Sequence, residues 1–318
     1  MKRAFLILIT AGLILYSCDT ANDKIPVILD TDANNELDDQ HAIAYMIFND
    51  EIFDVKGITT NRTWGGGPVE EHSKEARRIV HLCGADDRIQ VISGANSDYM
   101  SLKDSVYNPD FDGKKAVDFI IDQARQMPEN EKLVLIPVGK LTNIALAFKK
   151  DPSIVSKVKV VWLGSNWPGP GEYNMENDTS AVNPVIESGV EMWVCTVAGG
   201  TMEVKTTRTE IRNRLGGQGK EVEPIEGRHG GSFNRLGDYL VNLWENVKEE
   251  SRSLFDMAAV ATVKNSGWAE ATVVHGPRLI NGEWTADETA KDSVVFFRNY
   301  DVVGVMNDFW KTMEKIND

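Results

Sequence analysis

The chain is short of cysteine, with three in 318 residues and no two in a Cys-x-x-Cys spacing. Thiolate zinc sites and dithiol redox motifs therefore find little support. Cys83 and Cys195 sit in apolar surroundings, Ile79-Val-His-Leu-Cys83 and Trp193-Val-Cys195, and are expected as buried free thiols rather than as a disulfide. Basic residues are scarce as well: 34 Lys and Arg against 48 Asp and Glu give a formal charge of −14. Nucleic-acid binding requires clustered cations to neutralise phosphates, so no nucleic-acid partner is expected. The apolar stretch Ala4–Tyr16 is too short to span a bilayer comfortably. Internal repeats and low-complexity linkers are absent.

The leading residues read as a targeting segment. Met1-Lys2-Arg3 is basic, the apolar stretch follows, and Leu15-Tyr-Ser-Cys18 resembles the lipobox of bacterial lipoproteins, with Tyr16 an unusual member. That resemblance implies a signal peptide over residues 1–17, lipidation of Cys18, and a mature domain over residues 18–318. The expected location is exported, periplasmic or at the cell surface. Acyl chains rather than a spanning helix would hold the protein to a membrane.

What the chain does have is a concentrated group of oxygen ligands. Pro26–Leu29 reads as a short buried strand and His41–Phe48 as an apolar helix; between them lie Asp30, Asp32, Asn34, Asn35, Glu36, Asp38 and Asp39. Such a cluster falls at the carboxyl end of a strand, where open α/β sheets place their ligands. Crowded carboxylates repel unless a cation neutralises them, and hard oxygen donors favour Ca²⁺ or Mg²⁺ over zinc. A solvated acidic turn is the plainer alternative. Strand-like runs at Val27–Asp30, Phe53–Thr59, Ile89–Ser93, Leu133–Pro137, Val158–Leu163 and Glu191–Val197 alternate with helix-period segments near Asp39–Phe48, Pro68–Leu82, Lys115–Gln126 and Asn143–Lys149. The alternation predicts an α/β fold, a mostly parallel central sheet with helices on both faces. Residues 205–235, rich in Gly, Arg and Glu, read as a polar insertion or flap. Beyond them helices are expected over Leu236–Val247, Asp256–Val263 and Val302–Lys315, and strands over Ala271–Val274 and Ser293–Arg298.

Four segments, in order over roughly residues 25–263, resemble the inosine–uridine-preferring nucleoside hydrolases. Asp30-Thr-Asp32 with Asp38-Asp39 is similar to that family's aspartate signature, and Gly139-Lys-Leu-Thr-Asn-Ile-Ala145 to its Gly-x-Leu-Thr-Asn-Ile-Ala segment. Asn166, Glu172-Tyr-Asn174 and Asp178 resemble its sugar-binding run, and Leu254-Phe-Asp-Met-Ala-Ala-Val260 its His-Asp-Pro-x-Ala-Val segment. The resemblance implies hydrolysis of N-glycosidic bonds of ribonucleosides or related glycosides, with Ca²⁺ as cofactor and a homo-oligomeric state. Asp32, Asp39, Asp256 and the Val138 carbonyl would hold the ion, and Asp38 would take a proton from the attacking water. Asn166, Glu172 and Asn174 would bind sugar hydroxyls, with Asp30 holding the turn and either a hydroxyl or a supporting position behind the residues that touch the substrate.

Alternatives remain open at several positions. Thr142 and Asn143 are good residues to cap the helix after them, as is Asp256, and Glu172 and Asn174 can serve as turn residues. The chain also departs from the family pattern. Five residues, Ala33–Leu37, separate the two aspartate pairs where three are usual, which leaves Asn35 and Glu36 free for the ion, the substrate or water. Phe255 stands in place of a histidine, so the usual leaving-group acid is missing. His229 in the flap is the candidate replacement, and His41 a candidate to orient a carboxylate. His72 and His81 are expected to be structural or solvated. Trp64 and Trp167 can stack on a sugar or base, or fill the core. Two rivals follow: an exported sugar- or nucleoside-binding protein with a degenerate site, and a Mg²⁺-dependent phosphatase of the haloacid-dehalogenase type, which Asp30-Thr-Asp32 also resembles.

Overall fold

A computed structural model describes residues 24–317. The first half of the chain runs β1 (Ile25–Thr31), α1 (Asp38–Ile47), β2 (Phe53–Thr60), α2 (Val69–Leu82), β3 (Val91–Ser93), α3 (Tyr99–Leu102), α4 (Lys114–Arg125), β4 (Leu133–Pro137), α5 (Thr142–Lys150) and β5 (Val158–Leu163). It continues with α6 (Tyr173–Asn177), α7 (Thr179–Glu187), β6 (Glu191–Cys195), β7 (Lys205–Thr207), α8 (Arg208–Leu215), β8 (Ile225–Glu226), β9 (Ser232–Phe233) and α9 (Leu236–Glu245). The last part holds β10 (Ser251–Ser253), α10 (Phe255–Lys264), β11 (Glu270–His275), β12 (Arg278–Ile280), β13 (Glu283–Thr285), β14 (Ser293–Arg298) and α11 (Val302–Met313).

Eight strands form one sheet in the order β11-β14-β6-β5-β4-β1-β2-β3. All neighbours are parallel except β11 on β14, which are antiparallel. Val27, Ile28 and Leu29 of β1 are fully buried. Strands covered on both faces read as continuous apolar runs, which is why β1, β4 and β5 were visible in the sequence. One apolar cluster lies on each side of the sheet, the first around α1, α9, α10 and α11, the second around α4, α5 and α7. The expected α/β architecture is present.

The insertion expected over residues 205–235 is more ordered than its composition suggests. Thr207 caps α8 by accepting the Glu210 N–H at 3.1 Å, and Ile211 and Leu215, four residues apart, are buried. β8 and β9 form a small antiparallel hairpin. Helix α7 carries an apolar face, Ala181, Val182, Val185 and Ile186, that Pro184 inside it masked, while α6 and the strands β12 and β13 are too short to show a period. Cys195 is buried and Cys83 half-buried, and both are free thiols. The expected signal peptide and the expected lipidation site, Cys18, lie outside the described residues.

Candidate active site

The carboxyl ends of β1, β4 and β5 open into one cavity of about 320 Å³. β1 delivers Asp30 and Asp32. The spacer then crosses to α1, whose first turn carries Asp38 and Asp39. α10 packs beside α1 and brings in Asp256 near its own start. Carboxylates at helix N-termini are favoured by the positive end of the dipole, which holds these three where they are otherwise costly to bury. Asp38, Asp39 and Asp256 are all buried, and one ligand oxygen of each lies within 4.8 Å of the others.

The electrostatics of the group follow from that crowding. Burial, reinforced by Glu36, pushes Asp38 up to about 7. Burial likewise pushes Asp32 to about 7, against the opposing hydrogen bond from Thr63. Asp39 and Asp256 are raised well above the ordinary carboxylate range by burial first and then by their acidic neighbours. Among the described residues no Lys or Arg forms an ion pair with Asp32, Asp38, Asp39 or Asp256. The donors are oxygens alone, and the two arginines whose charge reaches them, Arg252 and Arg228, are bound to Glu36 and to the Ala33 carbonyl, so this set fits a hard divalent metal ion. The tight group contains Asp38, expected as the base, beside the expected ligands Asp39 and Asp256. Asp32 lines the same cavity but stands outside the group.

The sugar-binding candidates Asn166, Glu172 and Asn174 also line the cavity, with Val138 and Asp39. Asn174 Nδ2 donates to the Val138 carbonyl at 2.9 Å and to the Leu163 carbonyl at 3.1 Å, fixing the amide at the ends of β4 and β5. Glu172 caps α6, accepting from Asn174 N and Met175 N at 2.9 Å, and also accepts from Ser165 N at 3.0 Å. Its turn role and its place in the cavity therefore coexist. Asn166 Oδ1 accepts the Ala198 N–H at 3.0 Å.

Several expected residues stand elsewhere. Asp30 is fully buried and does not line the cavity. Thr59 at 2.6 Å, Asn61 at 2.5 Å and Asn143 at 2.8 Å all donate to its carboxylate, so it anchors strands rather than a sugar hydroxyl. Asn143 therefore bridges rather than caps. Thr142 donates to Asp178 at 2.5 Å, and Leu141 occupies the cap position of α5 without a side-chain bond. Asp256 is likewise inside α10, with Leu254 at the cap. His41 orients no carboxylate: its Nδ1 lies 2.7 Å from the Leu37 carbonyl, its Nε2 accepts from Trp244, and burial lowers it to about 4. Trp167 stacks on Phe296 at 4.7 Å between centroids, as core filling. Trp64 is 66% exposed and meets Tyr173 edge-on, outside the cavity lining. His229 is exposed on the β8–β9 hairpin and accepts from Arg228.

The five-residue spacer is tied down at both ends. Asn34 donates to the Gly66 carbonyl at 2.7 Å, and Glu36 pairs with Arg252, just before α10. Asn35 and Glu36 both line the cavity. Composition gave no signal for Tyr173, Leu163 and Val197, which complete the lining with Phe255. Nor did it single out Arg228, which reaches from the hairpin to the Ala33 carbonyl at 3.4 Å.

Known proteins resemble the chain over most of its length. The family model of the inosine-uridine preferring nucleoside hydrolases matches residues 27–307. The chain is 29% identical over 192 residues to the non-specific ribonucleoside hydrolase RihC of Klebsiella pneumoniae, covering 54% of this chain and 61% of that protein. Against RihC of Salmonella agona the identity is 30% over 193 residues, with 54% and 60% covered. The chain thus spans about three fifths of the length of the curated relatives it matches. Two solved structures superpose over nearly all of both chains. The purine-preferring ribonucleoside hydrolase from Gardnerella vaginalis gives a TM-score of 0.70 at 21% identity over 92% and 99% of the two chains. The inosine-uridine preferring nucleoside hydrolase from Bacillus anthracis gives 0.69 at 18% over 92% and 100%. At these identities the likeness is one of fold.

Proposed function

The chain belongs to the inosine-uridine preferring nucleoside hydrolase family, and on that premise we propose that it hydrolyses N-glycosidic bonds of ribonucleosides or closely related glycosides, using Ca²⁺. The observation that carries the reading is the buried Asp38–Asp39–Asp256 group, which forms no ion pair among the described residues, inside a cavity that Asn166, Glu172 and Asn174 also line. Asp38, Asp39, Asp256 and the Val138 carbonyl would hold the ion. A divalent cation bound there supplies a lowered pKa for the attacking water.

The remaining work falls to the chain. Asn174 spends both amide protons on carbonyls, so its Oδ1 is left to accept from a sugar hydroxyl. Glu172, held by three backbone N–H groups, presents a fixed acceptor beside it. Fixed dipoles of this kind stabilise the positive charge that develops on the sugar ring without reorganising. Asp32 takes the proton of the water: it lies outside the Asp38–Asp39–Asp256 group, and among the described residues Thr63 is the one side chain that donates to it. This exchanges the roles expected of Asp32 and Asp38.

Free ribose released from a nucleoside panel, with Ca²⁺ or with chelator, tests the reading. Asp32→Asn is expected to lower the rate about 10²- to 10⁴-fold while Ca²⁺ still raises the melting temperature. In Asp38→Asn that calcium shift should shrink. The opposite pattern would restore Asp38 as the base. A second reading, a binding protein with a degenerate site, is favoured by Phe255 in place of an imidazole. Calcium-dependent stabilisation by ribose without turnover would establish it. The phosphatase alternative falls with family membership, and no phosphate release from phospho-sugars with Mg²⁺ is expected. Export with a lipid anchor at Cys18 is proposed from the sequence alone. Membrane release of a Cys18→Ser chain tests it.

A further inference from the structure

The walls of the cavity are acidic or apolar. Asp32, Glu36, Asp38, Asp39, Glu172 and Asp256 supply six carboxyl groups. Among the described residues, no histidine, lysine or arginine lines it. The neighbouring imidazoles are committed elsewhere: His41 to Leu37 and Trp244, His72 to the Asn34 N–H, His229 to Arg228. Arg252 is paired with Glu36. What remains of the wall is Val138, Leu163, Val197, Phe255, Tyr173 and the two amides Asn166 and Asn174, with Asn35 at the spacer.

A neutral nucleoside leaves such a site with difficulty. When the bond between C1′ and the base nitrogen breaks, its electron pair moves onto the base, which departs as an anion unless an acid protonates it. An anion leaving among carboxylates is opposed by their field. Tyr173 offers one phenolic proton, but a phenol is a weak acid near neutral pH, and its oxygen is anchored to the Gly65 N–H at 2.9 Å. A base joined through a positively charged ring nitrogen behaves in the opposite way. The same electron pair quenches the ring charge, a neutral heterocycle departs, water adds its oxygen to C1′, and the remaining proton goes to a carboxylate and on to solvent. No acid is needed. The substrate's positive charge is attracted by the acidic walls, and the rings of Phe255 and Tyr173 are of the type that receives a flat cation.

Resting on the hydrolase reading above, we propose that the substrates this site prefers are N-ribosyl pyridinium compounds, whose leaving group is cationic before cleavage and neutral after it. Even with a divalent ion on Asp38, Asp39 and Asp256, Asp32 and Glu172 add negative charge that no basic side chain of the wall answers.

Four probes at equal concentration with Ca²⁺ test this: nicotinamide riboside, 4-nitrophenyl β-ribofuranoside, uridine and inosine. The nitrophenyl compound leaves as a stable anion that needs no proton, so its cleavage reports the sugar and water machinery without a general acid, against whatever opposition the acidic wall exerts. The expected result is a kcat/KM for nicotinamide riboside about 10²-fold or more above uridine and inosine, the scale at which a missing general acid is felt. Cleavage of the nitrophenyl compound, with uridine or inosine as fast as nicotinamide riboside, overturns the proposal and leaves the hydrolase reading intact. No cleavage of any of the four overturns both.

Discussion

Glu75 and Asp256 are both buried carboxylates close to α1, yet their surroundings follow opposite rules. Around Glu75 the chain supplies its own partners. Arg78 pairs with it, Tyr239 donates at 2.6 Å, and Gln40 donates at 3.0 Å while also holding the Ala33 carbonyl at 2.7 Å. Asp30 is treated likewise by Thr59, Asn61 and Asn143. Asp256 instead faces Asp38 and Asp39: burial raises all three, and acidic neighbours raise them further, Asp38 and Asp39 for Asp256, Asp32 and Asp38 for Asp39, and Glu36 for Asp38. A buried charge is tolerated when paired and hydrogen-bonded, so a fold that answers Glu75 and Asp30 so fully has the means to answer Asp256 and leaves it open. The first kind of site is architecture, while the second is a receptor for something the chain does not encode.

The largest expected effect comes from breaking the satisfied side. Arg78→Met leaves Glu75 buried without its ion pair and should cost about 3–5 kcal/mol in chemical denaturation. The calcium-induced rise in melting temperature should persist in whatever remains folded. If the variant unfolds no more easily than the parent, Glu75 was never dependent on its partner.

Next comes the open side. Asp256→Asn should lower ribose release about 10²- to 10³-fold. It should also make the calcium-free protein more stable, because one member of a repelling group is gone. A loss of stability in chelator would mean that the three carboxylates are satisfied within the chain after all.

A third effect is set by pH. Asp32 and Asp38 have folded pKa values raised to about 7 from an ordinary 3.8, so folding takes up protons between those limits. Their contribution to stability is complete below pH 4 and lost as pH rises through 7. In chelator, melting temperature should fall by about 5 °C or more between pH 5 and pH 8. Saturating Ca²⁺ should flatten the curve, since the deprotonated groups then have a partner. Identical curves with and without calcium would break the contrast. The smallest effect is expected at His229, exposed and turned to Arg228: His229→Ala should change ribose release less than about twofold, within the range of surface substitutions.

The legible parts of this chain were those whose signal is local. Buried parallel strands and the first turns of α1 and α10 show in the sequence because apolar runs and acidic helix starts are local patterns. Asn143 looked like a helix cap because a cap is also local, whereas its contact to Asp30 joins residues 113 apart. The closeness of Asp38 to Asp256 was hidden for the same reason, since it depends on where α10 comes to rest. Residues 205–235 were opaque because α8 stands on two buried side chains, Ile211 and Leu215, in a stretch dominated by charge. Arg228 drew no notice beside a histidine, although it is the hairpin residue that touches the spacer.

The backbone N–H of Asp256 lies 3.4 Å from the carboxylate of Asp38, a contact between positions 218 apart in the chain. The two halves of the ion-binding group therefore enter the world at different times. During synthesis, at roughly 5–20 residues per second, α1 waits ten seconds or more for α10 to exist. An ion held by both can bind only once the chain has been made through α10, with the edge strands β11 and β14 and the helix α11 still to come.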